Sequence, residues 1–497
     1  MGDTANERSD HLHLLGVGKL GLGVPALDML EAAVSGGESE HGSDEPALRR
    51  ELSVFDATAV VIGAIIGVGI FFTPSTVAGT AGSGGLALTT WVIGGLIAML
   101  GAMTFAELGA LVPRAGGQYE LLRDAYGPAT GFVYVVCNAT ATQGGAIGII
   151  ALVCVDNLAV VAGVDLSPAL ALISAIALTL VVALANAWGL RSGARIQNLT
   201  VIAKLGTLVA IALVALIFAP GLSPAEALPD AAASQAPGPS LHPVAAVAAA
   251  LVPTLFTFGG WQQVLWMGGE VREPERTMPR SILGGVLVVV VVYLAANWAY
   301  LSLLDHAGVA SSETLAADAV AVIFGEPGRR AIALAVAISA LGVLNAQLLT
   351  GPRLLYALAR DGQLLPILGR VHATRGTPVP AIALLAGTAV ALLLVAGEEG
   401  VNFLLNGVVL VDGVFFVLTG FASLVLARTT PHADRPVRMP GFPWVPALFG
   451  LAELGVVIGA WLNPDVRGAA FVGVAWILGA LGLYLWRNRA RPQPNTD

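Results

Sequence analysis

The sequence predicts an all-α polytopic membrane protein with twelve transmembrane helices, on three observations. Of its 497 residues 56% are hydrophobic and only 12% are charged, an apolar excess over ordinary soluble domains. Apolar runs of bilayer length recur along the chain, and a hydrocarbon core about 30 Å thick needs roughly 20 such residues in helix. Arginines collect in every second connection, as the positive-inside rule requires of one membrane face.

Residues 1–50 hold no apolar run of spanning length and no sustained periodicity, so a disordered cytoplasmic tail is expected; a translation start at Met29 is also compatible with the sequence. The runs follow near 55–80, 85–111, 128–160, 167–187, 194–218, 244–272, 280–304, 331–359, 379–396, 403–427, 443–462 and 468–486. With the N-terminus inside, the inner connections hold Arg114, Arg123, Arg191, Arg272, Arg276, Arg280, Arg360 and Arg428 among others, and the outer ones only Arg329, Arg330 and Arg467. Both termini are therefore expected to be cytoplasmic in a cell-membrane protein. The connection at 219–243 is rich in Pro, Ala and Ser, carries Glu226 and Asp230 and no basic residue, and reads as an external loop. A short cytoplasmic tail, 488–497, ends the chain. Cys137 and Cys154 fall in one span at a separation of about 25 Å along the helix, so they cannot pair and read as small buried residues. The net charge of −8 points to no particular partner.

The first run breaks its own rule. Gly63-Ala-Ile-Ile-Gly-Val-Gly-Ile-Phe71 places three glycines in mid-span, where each costs about 1 kcal/mol relative to alanine. Backbone freed at that depth is tolerated where it lines a cavity, which makes Gly67, Val68 and Gly69 a candidate ligand site. A second interruption, Leu255-Phe-Thr-Phe-Gly-Gly-Trp261, lies five spans later. Five is odd, so a second copy of a five-span unit inserts upside down, the inverted arrangement of many secondary transporters. The units would be 51–218 (helices 1–5) and 244–428 (helices 6–10), with two further helices in 429–487. Amide groups bared at one half-helix attract a carboxylate, and carbonyls bared at the other attract an ammonium. Gly144, Gly145 and Gly148 read instead as close-packing positions.

The motifs then fall into a known order. Ile65-Ile-Gly-Val-Gly-Ile-Phe71 with Thr73-Pro74, Phe105-Ala-Glu-Leu-Gly109 with Pro113, Gly116-Gly117 and Tyr119, Phe258-Gly-Gly-Trp261 with Glu270 and Pro274, and Arg353-Leu-Leu-Tyr356 with Arg360-Asp-Gly362 and Pro378-Val-Pro380 succeed one another from about Ser53 to Trp486. In these the chain resembles the amino acid–polyamine–organocation superfamily, most closely its L-type amino acid transporter-like branch. The resemblance implies a LeuT-type fold, a 5+5 inverted repeat plus two peripheral helices with helices 1 and 6 broken, and transport of amino acids or related amines. It implies that a substrate carboxylate meets the amides of Gly67, Val68 and Gly69, and that its ammonium meets the carbonyls of Ile65, Phe256 and Gly259. It also implies that the ring of Phe256 closes over the substrate from outside. Many relatives have Ser where this chain has Val68, so one hydroxyl is absent here. Gly260 and Trp261, at the second break, join the expected binding set.

Charged residues inside the spans narrow the reading. Lys204 is one of two lysines, with Lys19, and lies about ten residues into the fifth span, where a charge costs about 2.5–3.5 kcal/mol on insertion scales. It matches a fifth-helix lysine that some family members carry where sodium-coupled relatives bind Na⁺, which implies an ammonium resting on carbonyls freed by the first break. Paired hydroxyls suited to sodium do not occur near Ile338–Val343, so transport is expected to be Na⁺-independent. Asp412, in the tenth span, has three readings: a structural hydrogen-bonded or ion-paired group, a proton-linked group, or a substrate-selecting residue. Glu107, with Arg114 a loop away, and Glu270, before Arg272 and Arg276, read as inner-gate or helix-end ion pairs. Asn345 and Gln347 either bond across helices or face a cavity.

The expected function is Na⁺-independent secondary transport of amino acids by alternating access, as exchanger, facilitator or proton-linked carrier. Neutral amino acids are the first expectation, because the walls Ile65, Phe256 and Val408 are apolar; Asp412 keeps cationic amino acids and polyamines open. An amino-acid-binding membrane sensor is the alternative from another class. A membrane enzyme finds no support, since no catalytic or metal-ligand spacing of His, Cys and Asp falls in the spans. Neither a nucleotide-binding loop nor a nucleic-acid signature is present, so ATP, nucleic acid, cofactors and metals are not expected, and nothing assigns an accessory subunit.

Overall fold

A computed structural model describes residues 48–221, 242–430, 435–462 and 464–489, without the side chains of 221, 396–409, 464–466 and 469. The expected tail, the external loop and the C-terminal residues thus lie outside or largely outside the described residues, as does the Val408 side chain. What is described is helical; the only β pairings among those residues are two isolated bridges, Leu52 with Val271 and Ala115 with Met267.

The first run is divided. Helix α1 (Val54–Ile65) starts on a reciprocal cap, with Ser53 Oγ accepting from Asp56 N and the Asp56 carboxylate accepting from Ser53 N. It stops at Ile66, and a 3₁₀ turn (Gly69–Phe71) precedes α2 (Thr73–Ala81). Helices α3 (Gly84–Leu111) and α4 (Gly117–Tyr126) follow, then α5 (Pro128–Cys137), which passes through a π-helical stretch (Asn138–Thr142) into α6 (Gln143–Ala162). Helices α7 (Pro168–Trp188) and α8 (Leu190–Phe218) come next. The second division falls between α9 (Pro243–Phe258) and the single turn α10 (Gln263–Trp266).

Beyond it, α11 (Pro274–Ser311) bends at Asp305, where φ is 59°, and α12 (Leu315–Thr350) bends at Gly325, where φ is 58°. The seventh and eighth runs therefore have helical extensions that hydropathy does not mark. Helix α13 (Pro352–Arg360) leads to α14 (Val379–Thr429), in which helical backbone continues through the connection expected near 397–402. Helices α15 (Trp444–Leu462) and α16 (Pro464–Arg489) close the described chain.

Ten helices among the described residues are long and apolar enough to cross a bilayer; Val54–Ile65 and Val379–Val395 are shorter apolar helices. The first falls short because its run is cut at Ile66, which is the interruption the glycines predict. Helix α11 lies along α3 and α1, α12 along α6 and α8, and α14 against α6, α15 and α16. Gly148 packs on Leu393 of α14, 2.9 Å from where a Cβ would stand, and Gly144 on Thr388 and Leu392, at 3.1 Å and 3.2 Å, so the helices approach closely at both. Cys137 and Cys154 are both buried and free.

Candidate functional site

Stopping a helix in mid-membrane leaves carbonyls without their i+4 amides, and each needs a donor. At the first division most of these donors can be named, Ala64 O being the carbonyl for which no described residue supplies one. Ile66 N closes the last turn on Ile62 O, at 2.8 Å, and Gly67 N turns back to Ile65 O, also at 2.8 Å. Gly63 O, deprived of Gly67 N, accepts from Lys204 Nζ at 3.0 Å, and the same ammonium donates to Ile66 O at 2.7 Å. Gly67 O accepts from Ser339 Oγ at 3.1 Å, and Ile65 O takes a second donor, Tyr293 OH, at 3.1 Å. Lys204 is fully buried, and Gly342 on α12 makes its berth, since a Cβ there would stand 2.9 Å from Nζ.

The two divisions interlock. Gly260 has φ +132°, and a Cβ on it would lie 2.6 Å from Ala64 O, so only glycine lets the second break rest on the end of α1. Tyr293 OH also lies 3.4 Å from Thr257 O, joining both breaks to α11. Between them is a cavity of about 270 Å³. Ile65, Gly67, Val68, Gly69, Phe256, Gly259, Gly260, Trp261 and Asp412 all line it. The amides of Val68 and Gly69 donate to no acceptor among the described residues and are free for a ligand. Gly67 N is not, being held by Ile65 O, and both lone pairs of Ile65 O are taken. On the second break Gly259 O accepts from no described donor, whereas Phe256 O already accepts from Gly259 N at 3.1 Å.

The remaining wall is polar in a few places. Asp412 Oδ1 accepts from Thr142 Oγ1 at 3.0 Å, and Thr142 ends the π-helical stretch; such bulges frequently mark functional positions. Gln347 faces the cavity and accepts from Gln263 Nε2 at 3.2 Å, while Asn345 bonds across helices to Gly193 O and Gln197 Oε1, each at 3.0 Å. Glu453 of α15, which the motifs do not mark, also lines the cavity. It carries the sequence signal that marks Asp412, an acid inside an apolar run. Tyr293 carries a signal of its own, a phenol in a valine-rich run that needs a partner when buried.

Glu107 and Glu270 lie away from the cavity, in ion pairs different from those nearest in sequence. Glu107 pairs with Arg435 and accepts from Met439 N at 3.1 Å; Arg114 goes instead to Glu120, at 2.5 Å. Glu270 is gripped in two places by Arg353, with Nε at 2.7 Å and Nη2 at 2.8 Å, and both side chains are sealed from solvent. The carbonyl of Glu270 accepts from Glu51 N and Leu52 N, each at 2.9 Å, so the segment entering α1 is pinned to the segment leaving α10. Beside them Tyr119 OH donates to Asp361 at 2.6 Å, and Asp361 also pairs with Arg123. Burial, reinforced by the adjacent Asp361, pushes the Tyr119 hydroxyl up, which keeps it protonated as the donor.

Comparison with known proteins bears on this arrangement. The amino acid permease family profile matches residues 52–483. The large neutral amino acids transporter small subunit 2 of Mus musculus is 30% identical over 471 residues, covering 91% of this chain and 85% of that protein. The serine/threonine exchanger SteT of Bacillus subtilis (strain 168) is 28% identical over 449 residues, 89% of this chain and 97% of that protein. The b(0,+)-type amino acid transporter 1 of Homo sapiens is 29% identical over 426 residues, with 84% of each chain covered.

Proposed function

Because the chain belongs to the amino acid permease family, we propose that it is a secondary transporter that moves amino acids across the cell membrane by alternating access, as an exchanger. It is a carrier and not an enzyme. In this reading its helices form the LeuT-type set of twelve, with 51–218 and 244–428 as inverted halves and 429–487 peripheral, and both termini are cytoplasmic. The observation that carries the proposal is the shared cavity: two broken helices meet there, with the free amides of Val68 and Gly69 on one break and the free Gly259 carbonyl on the other. A zwitterionic head group needs both. The flanking Phe256, Trp261 and Phe416 suit an apolar side chain, in keeping with relatives named for large neutral amino acids and for serine and threonine.

Flux of radiolabelled leucine and serine into proteoliposomes preloaded with amino acid tests the reading. The chain should carry at least one of them. Gly67→Leu should stop it, because Gly67 lines the cavity and a Cβ there meets nothing nearer than Val343 Cγ2, at 3.6 Å, so the added side chain would take up room the ligand needs. Binding without flux in the unaltered chain would make the protein a sensor instead.

The same vesicles test coupling. The Lys204 amino group already donates to the Gly63 and Ile66 carbonyls, so the place a sodium ion would take is filled. Exchanging Na⁺ for choline at constant pH is expected to leave uptake unchanged; a collapse of uptake would refute Na⁺-independence.

A further inference from the structure

Two acids share the cavity with the two breaks. Asp412 reaches it from α14 and has one hydrogen-bond donor, Thr142. Glu453 reaches it from α15, on the stripe Phe449, Gly450, Glu453, Val456 and Ala460 that this helix turns inward rather than to lipid. Its residual exposure is 5%, and among the described residues none is hydrogen-bonded or ion-paired to it. Nor is any basic residue among the described ones bridged to Asp412; Lys204, the lysine buried within the spans, donates to Gly63 O and Ile66 O instead. A carboxyl taken from water into a membrane protein without a partner is expensive, and intramembrane acids that persist face a cavity or a counter-charge. Here the cavity is present and the counter-charge is not.

We propose that Asp412 and Glu453 form a second recognition pole that takes a cationic group on the substrate's side chain, so that the transporter accepts basic amino acids, with an ammonium or guanidinium beyond the head group, as well as neutral ones. The inference rests on the amino acid reading above. The head group binds at the breaks, the side chain extends across the cavity, and its cation completes the carboxyl pair. Thr142 orients Asp412, and the π-helical stretch sets Thr142. An apolar side chain uses Phe416 and Val456 on the same wall and leaves the acids to themselves.

The test is equilibrium binding of ornithine and of leucine to the purified full-length chain at one pH, expressed as the ratio of the two affinities within each variant, which cancels differences in folded fraction. The unaltered chain should bind both. Glu453→Gln should lower the ornithine-to-leucine ratio by about tenfold or more, the scale of one hydrogen bond to a charged group, and Asp412→Asn should lower it in the same direction. Glu453→Asp, which keeps a carboxylate, should retain most of the preference. Leucine binding without ornithine binding in the unaltered chain, or a ratio unmoved by Glu453→Gln, overturns the second pole. Failure of both amino acids to bind would overturn the amino acid reading itself, and this inference with it.

Discussion

Lys204→Met should reduce exchange flux by about a hundredfold or more, a loss of roughly 3 kcal/mol, while the protein still reaches the membrane folded. The two halves of that expectation come from different terms. Removing the ammonium strips the donor from Gly63 O and Ile66 O together, and hydrogen bonds to a charged group contribute about 1.5–3 kcal/mol each. Against this, the bundle no longer holds a charge at mid-membrane, which costs about 2.5–3.5 kcal/mol on insertion scales. The gain offsets part of the loss, leaving a net cost of no more than about 3 kcal/mol, within what a folded protein can absorb. The change at the break is not absorbed, because α1 then ends on two bare carbonyls beside the amides of Val68 and Gly69, and the geometry those amides offer a ligand is no longer fixed. Methionine keeps roughly the length of the lysine stem that the bare Gly342 admits, Lys204 Cε being 2.8 Å from where a Cβ at position 342 would stand, so packing is disturbed little. Flux in proteoliposomes, measured beside elution profile and thermal midpoint, separates the halves. Undiminished flux would return Lys204 to a purely structural role.

What the sequence could disclose of this site depends on the distance over which each feature is set. Breaks at Ile66–Val68 and Gly259–Gln262 are local, written as glycines in an apolar run, and the residues named from them line one cavity. Partners are not local. Glu107 lies 328 residues from Arg435, and charge alone cannot prefer that arginine to Arg114 nearby. Gln347 and Asn345 differ for a reason helix geometry supplies: two residues apart means about 200° of rotation, so one turns to the cavity and the other to α8. Which does which depends on packing. The carbonyl of Ile65 shows the limit most plainly. Its exposure by the break is legible, but its capture by Tyr293 from α11 is a tertiary contact that no motif around residue 65 encodes. The π-helical stretch at Asn138–Thr142 is likewise composed of ordinary residues, Asn-Ala-Thr-Ala-Thr, and takes its form from the helices around it.

Arg353→Met should be the most destabilising single change at the ion pairs described, lowering stability by about 3–5 kcal/mol, the cost of leaving one member of a buried pair alone. Arg353 and Glu270 are 1% and 0% exposed, so neither water nor salt can take the missing partner's place. More than one contact is lost, since Arg353 also donates to Leu349 O at the end of α12. Glu270, left uncompensated, is at the same time the residue whose carbonyl holds Glu51 N and Leu52 N. Its displacement would loosen the entry to α1, and with it both breaks, so ligand binding should weaken along with stability. Glu270→Gln is expected to cost less, because an amide still accepts from the guanidinium, and the double change Arg353→Met with Glu270→Gln should cost less than the sum of the two, because it leaves no bare carboxylate. Surface pairs make the contrast: Arg276 and Glu273 stand 4.0 Å apart and are 75% and 78% exposed, and a change there should move stability by no more than about 1 kcal/mol. Thermal midpoints of the purified variants, with and without a bound amino acid, decide it. If Arg353→Met melted with the unaltered chain, the pair would not be the latch that holds the segment entering α1 against the second break.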